Sequence, residues 1–516
     1  MRHLKIFIAG ACLLCLLQAC YKDKGNYKLI DYNQVVSITM PTVPPVILGD
    51  TFRVSPVIKW KYPDRDTTAF DYEWRQLDSV VSNQRNLAYT PDIPGYVMIY
   101  LYMKEKATGI VSRQPMQIQV ISAYRAGYLL LTNNNGRSGL TFIRRDATVD
   151  ANNVTHYTYK YFPDVYAKLF PNDALGTGPV KLATKCWPDY TLDQVLIMQD
   201  NATTFLNGTD FSKVIKLSSE FPGQAFPNGA GAADFVDGGP TNFVLCNDGN
   251  MYWKKNEKTM GGIHDGTYID IPIYFEGGGA HIGRIVDESI DYSQFVYVYD
   301  DLNHRFIGLF TTTGSDYRVG GKMYLTNTDP PPPGFVDLNN MTGYTLKYCS
   351  DYANASSFMN IIKDNATGQY LYQTYSLSMN YTALGVSAQH QEVFAGNGFV
   401  SDNTVYYRVR NSSYLFFGEG SKLYFYDVNT KRVTLYHDFG AGKVISMTTD
   451  ANSGELGVAL DNGIFYVCSL NNAILGEADP GATGILYQSP NIGTIIDLSW
   501  KWGSYYDYVF RRYPGT

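Results

Sequence analysis

The chain has 516 residues, a net charge of −6, 43 tyrosines, 47 glycines and only 17% charged residues. That is the composition of an exported β-protein of two or three domains. No basic patch or basic helix stands out, which argues against a nucleic acid partner.

In chain order, Arg2 and Lys5 precede an apolar run from Ile6 to Leu17, which is too short to span a bilayer as a mature helix. Leu17-Gln18-Ala19-Cys20 then forms a small-residue processing site, so residues 1–19 read as a signal peptide. The segment resembles a bacterial lipoprotein signal, which implies lipid on Cys20. Each buried acyl methylene would add about 0.8 kcal/mol of attachment. The alternative is a plain secretory signal with an incidental Cys20. Tyr21, rather than Asp, follows the cysteine, which by resemblance to Gram-negative lipoproteins implies delivery to the outer membrane. Residues 20–34 then serve as a polar tether.

Residues 35–122 carry strands of near-alternating character, among them Tyr72 to Leu77, Tyr96 to Leu101 and Met116 to Val120. Turn signals such as Leu48-Gly49-Asp50 and Pro94-Gly95 separate them. An immunoglobulin-like β-sandwich of this length needs a large buried anchor, and Trp74 is the obvious one. The segment holds no cysteine, so packing alone must stabilise it. Cys20-Tyr21-Lys22-Asp23-Lys24-Gly25-Asn26-Tyr27, Leu48-Gly49-Asp50-Thr51, Tyr72-Glu73-Trp74 and Gly95-Tyr96 resemble the PKD-like surface lipoproteins of Bacteroidetes. The resemblance covers about the first quarter of the chain. It implies a lipid-anchored PKD-like module before a larger domain, and association with a SusC/SusD-type importer of glycans or peptides. It carries no catalytic residues.

From residue 126 to 516 one pattern repeats: two apolar runs joined by a tight turn. The pairs begin at Tyr128, Val195, Phe243, Phe295, Phe358, Tyr414 and Leu456, and their turns include Asn135-Gly136, Asp248-Gly249 and Gly418-Glu419. Successive hairpins lie roughly 45 to 65 residues apart, a spacing suited to one propeller blade each. The expectation is a seven-bladed β-propeller. Its first hairpin has no inner strand before it, and Thr494 to Trp500 is left over at the other end. That C-terminal strand is expected to complete the first blade and close the ring. Cys186, Cys246, Cys349 and Cys468 fall on different blades with no Cys-x-x-Cys pair, and read as buried free thiols.

Catalytic motifs are absent: there is no His-Glu-x-x-His and no Gly-x-Ser-x-Gly. Gly277-Gly278-Gly279 precedes a strand, so a dinucleotide would find no helix N-terminus there, and no cofactor is expected. The loops at Asp364 and Asp450 alternate oxygen residues as calcium loops do, but neither supplies the later bidentate acid, so they read as turns and no metal is expected. Glu276, Asp287 and His281 could build an acid–base pair without their spacing requiring one. Binding is the better reading. The connections between blades carry Tyr161, Phe162, Phe221, Phe226, Tyr274, Phe275, Glu276 and Phe335. Aromatic faces beside polar groups suit sugars or peptide side chains, the competing role being to staple loops to blades. The expected function is therefore a lipid-anchored outer-membrane accessory protein that binds or positions a nutrient for an importer. A propeller glycosidase or lyase and a purely structural importer subunit are the alternatives.

Overall fold

The computed structural model describes residues 33–63, 69–186, 193–200, 202–237, 241–255, 264–273, 279–286, 295–310, 323–328, 331–351, 357–379, 384–410 and 412–502. The fold is all-β. It divides into two compact units, Met1–Ile121 and Ser122–Thr516. The expected lipidation at Cys20 lies outside the described residues.

In the first unit, five strands pair in the order Val46–Ile47, Val111–Ile121, Gly95–Glu105, Phe70–Gln76 and Ser79–Ser82. Two short ladders, Val35–Thr39 with Val57–Trp60 and Phe52–Val54 with Leu87–Tyr89, make up the rest. Strict alternation along Gly95–Glu105 sends Val97, Ile99, Leu101 and Met103 inward and their neighbours outward. The inward set closes on Trp74, which is fully buried. Burial would leave its indole N–H unsatisfied, and Trp74 Nε1 donates to the Gln84 carbonyl at 3.0 Å.

The second unit is a succession of antiparallel sheets in chain order, a propeller-like fold. The first sheet runs Thr155–Phe162, Arg137–Val149, Gly127–Asn134 and then Thr494–Lys501 from the far end of the chain. Its hairpin turns on Asn135 and Gly136, both at positive φ (55° and 86°), the backbone that a two-residue turn matching strand twist requires. The C-terminal strand pairs antiparallel in the expected place, with Tyr128 opposite Trp500 and Leu130 opposite Leu498.

Pro179–Cys186 opens the next sheet and Ala232–Asp237 a three-stranded one. An eight-stranded sheet follows, made of two antiparallel runs, Ile282–Ile285 to Met323–Thr328 and Tyr344–Asp351 to Leu384–Val393. A parallel pairing of Thr326 with Leu384 joins them. The last two sheets open at Val405–Arg408 and Val444–Thr449.

Middle strands such as Thr241–Cys246 and Glu455–Leu460 are buried at every position, because each sheet is covered on both faces. The cores follow chain order. Leu131 and Phe142 pack with Val195 and Ile197, then Met198 and Phe205 with Val244 and Tyr252. The succession ends with Ala459, Phe465 and Val467 against Tyr128, Leu130 and Trp500, so the last sheet packs on the first. Gly457 sits at that seam: a Cβ there would lie 2.7 Å from the Tyr128 ring, so no larger residue fits without displacing it.

Candidate functional site

A cavity of about 240 Å³ lies where several sheet-opening strands finish. Its walls come from the later parts of Pro179–Cys186, Val444–Thr449 and Thr494–Lys501, with Asp234, Phe235, Tyr407 and Arg410 from two further sheets. In the first sheet, Tyr161 and Phe162 lie on the outer strand, level in register with Trp500 and Ser499 at the cavity wall but with two strands between.

Hydroxyls, charges and indoles share the walls. Lys181 Nζ meets Asp234 Oδ2 at 2.7 Å, tying two sheets together. Asp497 accepts from the Leu182 backbone N–H and from Ser446 Oγ, both at 2.9 Å, and so links three sheet-opening strands. Burial raises its carboxyl above the ordinary aspartate range, against the pull of those donors. Thr184 Oγ1 donates to the Trp500 carbonyl at 2.7 Å, and the Thr449 N–H donates to Tyr407 Oη at 3.0 Å. Asp450 turns the wall inward: Oδ1 accepts from the N–H groups of Gly454 (2.7 Å) and Glu455 (2.9 Å).

Behind Asp450 the seam is charged. Arg145 reaches Asp450 at 2.6 Å and Glu455 at 3.1 Å, and its guanidinium lies 4.8 Å over the Trp500 ring. Tyr128 Oη donates to Glu455 at 3.2 Å. Burial pushes the Glu455 carboxyl up, while Arg145 pulls it down. A second polar cluster joins the second and third sheets. There Glu220 bonds to the fully buried Lys254, and its other oxygen lies 2.6 Å from His264 Nδ1. Gln194 takes the other ring nitrogen of His264 at 2.9 Å.

The five described residues among the expected ligand contacts are placed elsewhere. Phe221 stacks on Tyr268 at 4.6 Å with Phe226 5.3 Å away, both inside one core cluster. Phe335 is buried among Val336, Leu338 and Met341. These three rings hold loops against sheets, because burial leaves them no face for a ligand. Tyr161 and Phe162 are half-buried at the end of the outer strand of the first sheet, Phe162 packing edge-on against Tyr124 at 5.7 Å. None of these five lines the cavity. Tyr274, Phe275, Glu276 and Asp287 lie outside the described residues.

His281 packs on Gly249, its ring filling the space of the missing Cβ, and its backbone N–H donates to Asp300 at 3.1 Å. The Asp364 carboxylate caps its own turn through the N–H groups of Ala366 and Thr367. Cys246, Cys349 and Cys468 are free and buried; burial pushes the first two thiols up to about 12. The side chain of Cys186 lies outside what is described.

Strand residues of the cavity, Lys181 and Asp497 among them, escape a search of the loops, whereas Asp450, Ala451 and Ser453 belong to a loop whose sequence reads as a turn. The signal present in the sequence is a polar residue inside an apolar inner strand, such as Asp497 in Thr494-Ile495-Ile496-Asp497-Leu498-Ser499-Trp500.

Comparison with known proteins places one part of the chain. Residues 20–178 match the PKD-like family. The match takes in the PKD-like unit and continues through the first hairpin of the second unit, under a third of the whole. A search of the curated proteins finds no match.

Among solved structures, a quinonprotein alcohol dehydrogenase-like protein from Bacteroides thetaiotaomicron VPI-5482 is 12% identical. It covers 92% of this chain and 98% of its own, with a TM-score of 0.35. A candidate 6-phosphogluconolactonase from Bacteroides fragilis NCTC 9343 is 8% identical, covers 73% of this chain and 98% of its own, and has a TM-score of 0.43.

Proposed function

We propose that this is a lipid-anchored accessory protein of the outer membrane, facing outward, which binds a glycan or peptide and positions it for a SusC/SusD-type importer. In this reading the second unit closes as a seven-bladed propeller, the eight-stranded sheet counting as two blades and the C-terminal strand completing the first. The lipoprotein-like start around Cys20 and the PKD-like segment support the anchoring and the importer. The cavity at the strand ends is the observation that carries the binding. It combines indole and phenol rings with hydroxyls and charged groups, the mixture that matches a ligand having apolar faces and polar edges. At about 240 Å³ it falls below the roughly 300–1,000 Å³ of pockets for drug-sized ligands. It therefore suits one terminal unit of a polymer rather than a length of chain.

An array of glycans and peptides, with analysis of products after incubation, tests the reading. Binding without turnover is expected. Trp502→Ala, at the cavity wall, should weaken binding about tenfold, the scale of one lost aromatic contact, while Tyr161→Ala leaves it unchanged. Equal losses at both positions would move the site away from the cavity.

A second reading rests on Asp497. A carboxyl with a raised pKa in a cavity is a candidate general acid, which would make the protein a glycosidase or lyase. Turnover abolished by Asp497→Asn, with binding retained, would favour that reading over simple capture.

A further inference from the structure

The outward face of the five-stranded sheet in the first unit differs from an ordinary solvated face. Along Gly95–Glu105 the outward positions are Tyr96, Met98, Tyr100, Tyr102 and Lys104, and Tyr96 is 71% exposed. Register sets Tyr100 between Arg75 and Pro115, and Tyr102 between Glu73 and Arg113. The Arg113 guanidinium lies 3.9 Å over the Tyr100 ring, a contact that holds a cation flat against an aromatic surface. The neighbouring hairpin adds Leu77, 82% exposed at a φ of 51°, and Val80, 49% exposed beside Arg75. A leucine in the left-handed region with its side chain in water is costly twice over, and such outliers cluster at functional positions.

The charges on this face do not cancel. Arg75 pairs with Glu73, and Lys106 lies 3.5 Å from Asp71. Lys104 and Arg113 have no ion pair among the described residues. Tyrosine, methionine and arginine at the centre with charges toward one side is the composition of a protein-binding surface. The aliphatic Leu77, Val80 and Met98 offer nothing to a sugar hydroxyl, and the two unpaired cations call for acids opposite.

We propose that this face docks a folded protein whose matching surface is apolar at its centre and acidic at its rim. The inference is independent of the cavity and of what the cavity holds.

Photo-crosslinking of the full chain in its native membrane tests it, with a photoreactive residue placed at Tyr96, at Met98 or, as a control on another strand ladder, at Val57. The expected result is one discrete protein adduct shared by the first two positions and absent from Val57. Its yield should fall about tenfold in Arg113→Glu or Lys104→Glu, and recover when an acid in the cross-linked segment of the partner is changed to lysine. The thermal melt checks that each variant is folded, since both cations lie outside the core. No adduct, an adduct with a second copy of this chain, with glycan or with lipid, a yield unchanged by both reversals, or failure of the compensating change would each overturn it.

Discussion

The two units stabilise β-sheets by different means. The first gathers one core around Trp74, and its ion pairs Arg75–Glu73 and Lys106–Asp71 lie at the surface. The second has a chain of cores between successive sheets and buries ion pairs where sheets meet, Lys254 with Glu220 and Lys501 with Asp193 among them. A buried ion pair is weak support for stability, because desolvation offsets much of its attraction. What such pairs do supply is register. Lys501, fully buried, bonds to Asp193 on the next sheet and to the Arg125 carbonyl at 3.1 Å, so the C-terminal strand has a defined stopping point. One unit is organised around a residue, the other around a closure.

The sharpest break in that comparison comes from deleting residues 494–516. The deletion removes Ile495, Leu498 and Trp500 from the seam, roughly 5–9 kcal/mol of apolar burial at about 1.5–3 kcal/mol per large side chain. That is comparable with the whole stability of a typical domain. Calorimetry should show the transition of the second unit lost and that of the first retained. Loss of both would mean that the units do not fold separately.

Trp74→Ala is the converse experiment. A cavity of that size costs about 3–5 kcal/mol, so the melt of the first unit should fall sharply while that of the second stays in place.

The smallest effect concerns Asp497. Its carboxyl is raised by burial, so the native state holds the proton to higher pH than the unfolded chain does. Stability then declines as pH rises through the unfolded value near 3.8 and levels off above the raised native one. Asp497→Asn removes that dependence. The melting temperature of the variant relative to the parent should increase between pH 3.5 and pH 7. A difference that is flat with pH would show that Asp497 ionises normally.

Much of the strand order is legible in the sequence, because turn chemistry and apolar runs are local. Asn135-Gly136 places a hairpin by itself, and the unused strand at Thr494 to Trp500 points to its partner because an inner strand is missing at the other end. The site is a different matter. Lys181 and Asp234 are brought together from separate sheets, and His264 meets Glu220 across 44 positions of chain. No spacing rule reports such pairs. Aromatic loop residues such as Phe221 and Phe335 are ambiguous for the same reason: a ring that contacts a ligand and a ring that closes a core have the same local sequence, and only burial separates them.

The pairing of Thr494–Lys501 with Gly127–Asn134 also has a consequence in time. A nascent chain emerges from its N-terminus, so the sheet begun first is the one finished last. Until Thr494–Lys501 is available, Gly127–Asn134 presents an open edge, and unpaired edges invite misassembly. The edge of Gly127–Asn134 is therefore the last of its sheet to be covered, and a chain that stops before Thr494 leaves it unpaired and open to misassembly.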